Sequence, residues 1–347
     1  MNIHEKYMMR CIELAKNGLG TTYPNPLVGS VIVYHNSIIG EGWHQKAGAP
    51  HAEVNAILNV KDIRVLKDAT LYVNLEPCSH FGKTPPCSDL IIEKGIKKVV
   101  IGCTDPNPKV AGKGIQKLKD AGCEVIVNVL QKEAEALNKR FFTFQNKKRP
   151  HIILKWAQTQ DGFIAPKEKK EQKPVWITNE FSRQLVHKMR AEEQAILAGT
   201  KTVLDDNPSL TTRDWEGNSP IRIILDRALQ IPETAIVFNS SIKTIVLTEI
   251  SRENNDSLIF ETIDFSENIA KQVCEVLYKH NIQSVIVEGG AKTLQTFIDE
   301  NLWDEAFIFK GSTSFYEGLK APLMKGKLLS EIQIKNDLLF HYINTSS

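Results

Sequence analysis

Apolar residues fall on two periods along this chain, and the alternation between them predicts its elements. Ile3, Tyr7, Cys11, Ile12 and Ala15 recur at helical spacing. Gly18 follows where a helix end takes a residue tolerant of positive φ. "VGSVIVY" and "SIIGEGW" flank Asn36-Ser37 and predict a hairpin. A helix over His51–Leu58 comes next, then strand "ATLYVNL", helix "CSDLIIEKGI", strand "KKVVIGC", helix "GKGIQKLKDAG" and strand "CEVIVNV". Strands alternating with helices predict a layered α/β domain. An amphipathic segment, "KEAEALNKRFF", closes the series, and "QNKKRP", charged and ending in proline, predicts a linker. The boundaries expected from it are a first domain over 1–146 and a second over 150–347.

The second series opens with the strand "HIILKWA", the helix "NEFSRQLVHKMRAE" and the strands "QAILAG", "PIRIILD" and "TIVLT". A helix through "ENIAKQVCEVLYKHN", the strand "SVIVEGG" and the helix "AKTLQTFIDEN" follow, with further strands at "DEAFIFK" and "DLLFHYI". This is a second α/β unit without detectable repetition of the first. The charge run "PKEKKEQKP" between its first strand and first helix reads as a solvated loop.

Composition narrows the function classes. Lys and Arg number 43 against 41 Asp and Glu in 347 residues, a net charge of +2. A nucleic-acid partner needs a basic, aromatic-bearing face, and this balance, with 7% aromatics, argues against one. The N-terminal stretch carries charges throughout, unlike a signal peptide, and no apolar run reaches membrane-spanning length. Cys11, Cys78, Cys87, Cys103, Cys123 and Cys274 are too few and too scattered for a disulfide framework, so the chain reads as cytoplasmic with reduced thiols.

Two stretches carry chemistry. "PHAEVNAI" sets His51 and Glu53 at a helix start, and "LEPCSHFGKTPPC" sets Cys78 and Cys87 each behind a proline. One imidazole and two thiolates make three protein ligands, the count of a catalytic zinc whose fourth position is left to water. His80 as a fourth ligand would make the site structural instead, and two free thiols without metal are a further reading. Zinc lowers the pKa of its water from about 15.7 toward 7, and Glu53 is placed to move the proton. Residues two apart share no face in mid-helix, so the pair has to sit at the helix N-terminus, which Pro50 favours.

These stretches resemble the zinc-dependent cytidine deaminase superfamily, whose chemistry is a His/Cys/Cys zinc with a glutamate proton shuttle. Eight residues separate the cysteines here, where most members have two. With "TTYPNPLVGSVIV", "GEGWHQKAGAPHAEVNA" and "DPNPKVAGKGI", that longer loop closely resembles the riboflavin-biosynthesis deaminase/reductase family. The resemblance implies an N-terminal cytidine-deaminase-like three-layer αβα domain and a C-terminal dihydrofolate-reductase-like α/β domain. It implies zinc on His51, Cys78 and Cys87, Glu53 as the catalytic proton carrier, and a pyrimidine ribosyl phosphate substrate that loses ammonia. Asn25 would contact that substrate, with His80 and Lys83 near its phosphate.

In the second domain "VIVEGGAKTL" is a strand, a glycine pair and a helix, a turn that can approach a phosphate but lacks the dinucleotide fingerprint. Glu288 ends that strand, where α/β sheets bind ligands. "KWAQTQDGFIA", "VWITN" and "AILAGTKTVLDDNPSLTTR" resemble the reductase half of the same family. The resemblance implies NADPH against Ala157, Trp176, Thr202, Asp206 and the turn from Gly290. It implies substrate against Arg190, Leu210, Arg213 and Glu288, and hydride transfer that opens the ribosyl group to ribityl. Lys201 and Arg227 are basic candidates for the 2′-phosphate, and homo-oligomers through the C-terminal domain are expected. Thr159, Gln160 and Pro174 depart from the family pattern, so an active deaminase with an impaired reductase is the alternative.

Overall fold

The structure, a computed structural model, describes residues 1–81, 85–108, 110–169 and 171–346. It divides into two compact units, Met1–Lys147 and Lys148–Ser347.

The first unit is built on strands β1 (Gly29–Tyr34), β2 (Ser37–Trp43), β3 (Thr70–Leu75), β4 (Lys98–Cys103) and β5 (Glu124–Ile126), in sheet order β2-β1-β3-β4-β5. β1 runs antiparallel to both neighbours, whereas β3, β4 and β5 are parallel. Its helices are α1 (Ile3–Lys16), α2 (Ala52–Leu58), α3 (Cys87–Glu93), α4 (Lys113–Asp120), α5 (Gln131–Leu137) and α6 (Lys139–Lys147). Both faces of the sheet are apolar because successive strand residues point to opposite sides. Ile32, Leu71, Val73 and Ile101 pack with Ala56, Ile91 and Leu118 of α2, α3 and α4. Val31, Val33, Tyr72 and Val100 pack with Met8, Cys11 and Ala134 of α1 and α5. Three layers result. The hairpin turn falls on His35 and Asn36, with φ of 47° and 60°.

Glycines in β2 bring α2 unusually close. A Cβ on Gly42 would lie 2.5 Å from Asn55 Cβ and 2.7 Å from Ala56 N, and one on Gly40 would lie 2.3 Å from Ala56 O. Backbone contact at these two positions therefore sets where α2, and with it His51 and Glu53, sits over the sheet.

The second unit contains β6 (His151–Gln158), β7 (Phe163–Pro166), β8 (Ala195–Gly199), β9 (Ile221–Leu225), β10 (Thr244–Thr248), β11 (Leu258–Thr262), β12 (Ser284–Glu288), β13 (Glu305–Lys310), β14 (Gly318–Lys320), β15 (Lys327–Ile334) and β16 (Asp337–Ile343). Nine of them form one sheet in the order β11-β10-β9-β8-β12-β6-β13-β16-β15, parallel from β11 to β13 and antiparallel beyond, while β14 pairs with β7. Helices α7 (Glu180–Glu192) and α8 (Thr200–Asp206) cover one face through Met189 and Val203, and α9 (Ile269–Lys279) and α10 (Ala291–Asp299) cover the other through Leu277 and Phe297.

Several details differ from the sequence reading. The amphipathic segment before the linker is two helices broken at Asn138, and α6 continues to Lys147. Arg149, expected in the linker, is buried in the second unit, where its guanidinium grips Asp304 at 2.6 and 2.9 Å. The charge run after β7 is exposed over most of its described length, as expected of a solvated loop, but two contacts anchor it. Lys169 pairs with Asp206, and Gln172 Nε2 donates to Leu204 O at 2.7 Å. No helix among the described residues is long and apolar enough to cross a membrane.

Candidate active sites

In the first unit the chain brings a helix start and a rigid loop together. His51 is the residue before the first turn of α2, and Cys87 opens α3 directly after Pro86. His51 Nδ1 lies 3.6 Å from Cys78 Sγ and 3.3 Å from Cys87 Sγ, and the three ligand atoms are all within 4.8 Å of one another. Zn–S bonds of about 2.3 Å and Zn–N bonds of about 2.0 Å at a tetrahedral angle predict an N···S separation of about 3.5 Å. The donors therefore fit zinc in spacing as well as in softness. The backbone N–H of Cys87 donates to Cys78 Sγ at 3.2 Å. The Cys87 thiol first, then His51 and that backbone contact, hold Cys78 down to about 4 against the effect of burial, the thiolate form a metal takes. Cys87 is pushed up by its bond to Cys78 and by burial.

Glu53 is buried at 3% exposure beside this cluster. Burial raises its carboxyl above the ordinary range, and the Cys78 charge adds to the rise. A carboxyl so placed holds a proton at higher pH than a solvated one. His80 is exposed and stands outside the ligand cluster, so among the described residues the site has three ligands. Lys83 lies outside the described residues.

A polar wall stands beside the cluster. His44 Nδ1 faces Pro50 O at 3.1 Å and His44 Nε2 meets Asn25 Nδ2 at 3.0 Å, so Asn25 is tied to the loop that carries His51. Glu76, unremarked in the sequence, is buried and accepts backbone N–H groups from Asp105 (3.2 Å), Gly112 (2.9 Å), Gly114 (2.9 Å) and Ile115 (3.1 Å). One carboxylate thus pins Asp105 and the start of α4 to the end of β3. Asp105, also buried, has its carboxyl pushed up to about 6 by desolvation, with the neighbouring Glu76 and Cys78 charges adding.

In the second unit a cavity of about 500 Å³ opens at the C-terminal ends of the parallel strands. The residues expected to meet NADPH (Ala157, Trp176, Thr202, Asp206 and Gly290) and the substrate (Arg190, Leu210, Arg213 and Glu288) line it. Gly290 N donates to Thr202 Oγ1 at 2.9 Å. A Cβ on Gly290 would meet only that oxygen, at 3.6 Å, so the missing side chain leaves open room that fits a phosphate-bearing cofactor. Arg183 lies over the Trp176 ring at 4.7 Å. Lys201 also borders the cavity, whereas Arg227 does not and pairs with Glu249 at 2.8 Å.

Lys155 was missed. It faces Glu288 in the strand register of β6 and β12 and forms an ion pair with it, while Arg190 binds the other oxygen at 2.5 and 3.2 Å. Burial alone would raise Glu288, but Arg190 and Lys155 hold it at about 2. The available signal was a lysine inside the apolar run "HIILKWA", since a charge in a buried strand needs a partner.

An αβα unit with a zinc-type ligand set, followed by a sheet with a cofactor-sized cavity, is the layout of a two-domain enzyme with a separate site in each unit. Residues 1–103 match the cytidine and deoxycytidylate deaminase zinc-binding region, and residues 150–325 match the RibD C-terminal domain. The chain belongs to the riboflavin biosynthesis protein RibD family: it is 43% identical to the Aquifex aeolicus member over 91% of this chain and 89% of that protein. The Escherichia coli member is 38% identical over 88% and 86%. A crystal structure from Thermotoga maritima, described as a diaminohydroxyphosphoribosylaminopyrimidine deaminase/5-amino-6-(5-phosphoribosylamino)uracil reductase, superposes with a TM-score of 0.89 at 41% identity, covering 99% of each chain. Acinetobacter baumannii RibD gives 0.88 at 35% identity over the same coverage.

Proposed function

We propose that this enzyme carries out two consecutive steps of riboflavin biosynthesis: hydrolytic deamination of a diaminopyrimidinone ribosylamino 5′-phosphate, then NADPH-dependent reduction of its ribosyl group to ribityl. The observation that carries the reading is Glu53, buried within one helix turn of a His51–Cys78–Cys87 ligand set.

In the deaminase, His51, Cys78 and Cys87 would hold zinc, which when bound supplies a water ionised near neutrality. Glu53 takes the proton of the attacking water and delivers it to the departing amine. Its buried place beside the ligand set suits both directions of transfer. Asn25, fixed by His44, orients the pyrimidine ring. In the reductase, Ala157, Trp176, Thr202, Asp206 and Gly290 would hold NADPH, which supplies the hydride. Arg213 binds the substrate phosphate with its guanidinium fork, Arg190, whose Nε and Nη2 hold Glu288, adds its charge there, and Leu210 and Glu288 complete the substrate wall.

An impaired reductase is not favoured. Thr159 keeps a hydroxyl at work, accepting Phe163 N–H at 3.0 Å and donating to Asp161. Pro174 borders the cavity with the residues named above. For assembly, β15 supports the expected association through the C-terminal domain, because this sheet-edge strand leaves Leu329 and Ile332 more than half exposed. We place the enzyme in the cytoplasm without nucleic acid as partner, on the few, scattered cysteines and the balanced charge of the sequence.

The test is a two-signal assay on zinc-loaded protein, following ammonia release and NADPH absorbance together. Ammonia should appear first and NADPH loss should trail it. Removing zinc with a chelator should stop ammonia while reduction of the deaminated substrate continues. Ammonia without NADPH loss would restore the impaired-reductase reading, and neither signal would sink the assignment.

A further inference from the structure

The stretch Ser209–Arg213 forms part of the cavity wall and carries Leu210 and Arg213. Its backbone is strained. Leu210 is buried with φ of 54°, a left-handed conformation that a branched side chain rarely takes. Such a conformation persists only where its surroundings over-determine it. Three bonds do so. Arg222 Nε donates to Ser209 O at 2.9 Å, and Arg190 Nη1 donates to Thr211 O at 3.1 Å. The third is an imidazole: the backbone N–H of Arg213 donates to His187 Nδ1 at 3.1 Å.

We propose that His187 is a positioning residue of the reductase, a neutral imidazole whose Nδ1 accepts the Arg213 N–H and thereby fixes this stretch for the substrate's phosphate. The proposal rests on the reading that Arg213 meets that phosphate. His187 sits on α7 at 4% exposure, one helical turn before Arg190, so one helix presents both an anchor for the loop and a guanidinium for the ligand. With Nδ1 accepting, the ring proton belongs on Nε2, which faces Asp214 Oδ2 at 3.4 Å. The charged groups facing the ring are Arg190 on its own helix, Arg213 and Asp214 on the loop and Glu288 on β12. Burial, with Arg190 and Arg213, keeps the imidazole below its ordinary range despite the two carboxylates. The acceptor is therefore present at neutral pH and is lost only as pH falls. A proton on Nδ1 would then set one N–H against another.

The experiment uses the full-length enzyme at saturating NADPH and reads KM and kcat for reduction in His187→Leu, His187→Asn and Arg213→Ala. Leucine removes the acceptor, and KM should rise about tenfold with kcat little changed, as expected for one lost hydrogen bond. Asparagine places its amide oxygen where Nδ1 stands and should keep KM near the wild-type value. Toward acid, wild-type KM should rise more steeply than that of His187→Asn; both share the titration of the substrate phosphate itself, which the comparison removes. Equal losses in the leucine and asparagine variants, or identical acid limbs in wild type and His187→Asn, would overturn the proposal. If His187→Leu does not fold, His187→Asn and the pH comparison still decide it. Unchanged KM in Arg213→Ala would remove the underlying reading of the phosphate site. Raised KM there with an unaffected His187→Leu would reject the role of His187 alone.

Discussion

Glu288→Gln is the substitution whose cost the structure states most directly. The carboxylate is 15% exposed and shared by Lys155 and Arg190, each 12% exposed. Its depression from 4.5 to about 2 corresponds to about 3 kcal/mol of folding free energy at pH 7. Glutamine keeps the shape and removes the charge, leaving two cations without a counter-charge, a situation that costs about 3–5 kcal/mol in buried pairs. For a domain of this size, 3 kcal/mol lowers the melting temperature by about 6–12 °C. Urea unfolding followed by tryptophan fluorescence reports mainly on this unit, because Trp156, Trp176, Trp215 and Trp303 lie in it and only Trp43 lies in the other. The sign of the pH dependence is fixed. A depressed carboxyl contributes fully above 4.5 and fades as pH falls toward 2, so the gap between wild type and variant should stay constant from pH 8 to 5 and narrow below that. Adding Lys155→Met should recover part of the loss. A gap under about 1 kcal/mol, or one that closes between pH 7 and 5.5 where Glu288 does not titrate, would refute the argument.

Two further outcomes are expected. Glu53→Gln should retain zinc, measured by metal analysis, and lower ammonia release by about a hundredfold or more, the scale of a lost proton carrier; loss of zinc with activity would mean that Glu53 is needed to build the site. Gly42→Ala should destabilise the first unit by about 1–3 kcal/mol and weaken its zinc binding, because the added Cβ meets the backbone of α2; an unchanged melting curve and zinc affinity would show that α2 can retreat without cost.

What could be read from the sequence was local. His51, Glu53, Cys78 and Cys87 stand in two short stretches, and each stretch announces its own chemistry through spacing and prolines. The main strands were legible because parallel strands covered on both faces read as apolar runs. β11 and β15 were not, since "LIFET" is short and "KLLSEIQI" is an edge strand that leaves most of its side chains in solvent. Nor was α8, a two-turn helix whose polar residues "TKTVLDD" carry one buried position, Val203. Long-range partnership was the harder loss. Lys155 and Glu288 are separated by 133 positions, Glu76 and Gly114 by 38, and His187 and Arg213 by 26. Each is an ordinary polar residue until the fold supplies the other half of its bond.

The ligand set of the first unit has a thermodynamic corollary. His51 begins α2, while Cys78 and Cys87 bracket a separate loop, so a bound ion would act as a cross-link between segments far apart in the chain. A cross-link formed from solution is a mass-action effect. Once free zinc exceeds its dissociation constant, each further tenfold adds about 1.4 kcal/mol to the folded state. The first unit's resistance to unfolding is then a reading of the cell's zinc supply, and metal scarcity would reach this enzyme as turnover of the polypeptide as well as loss of catalysis. The ion cluster around Glu288, assembled wholly from side chains, carries no such dependence.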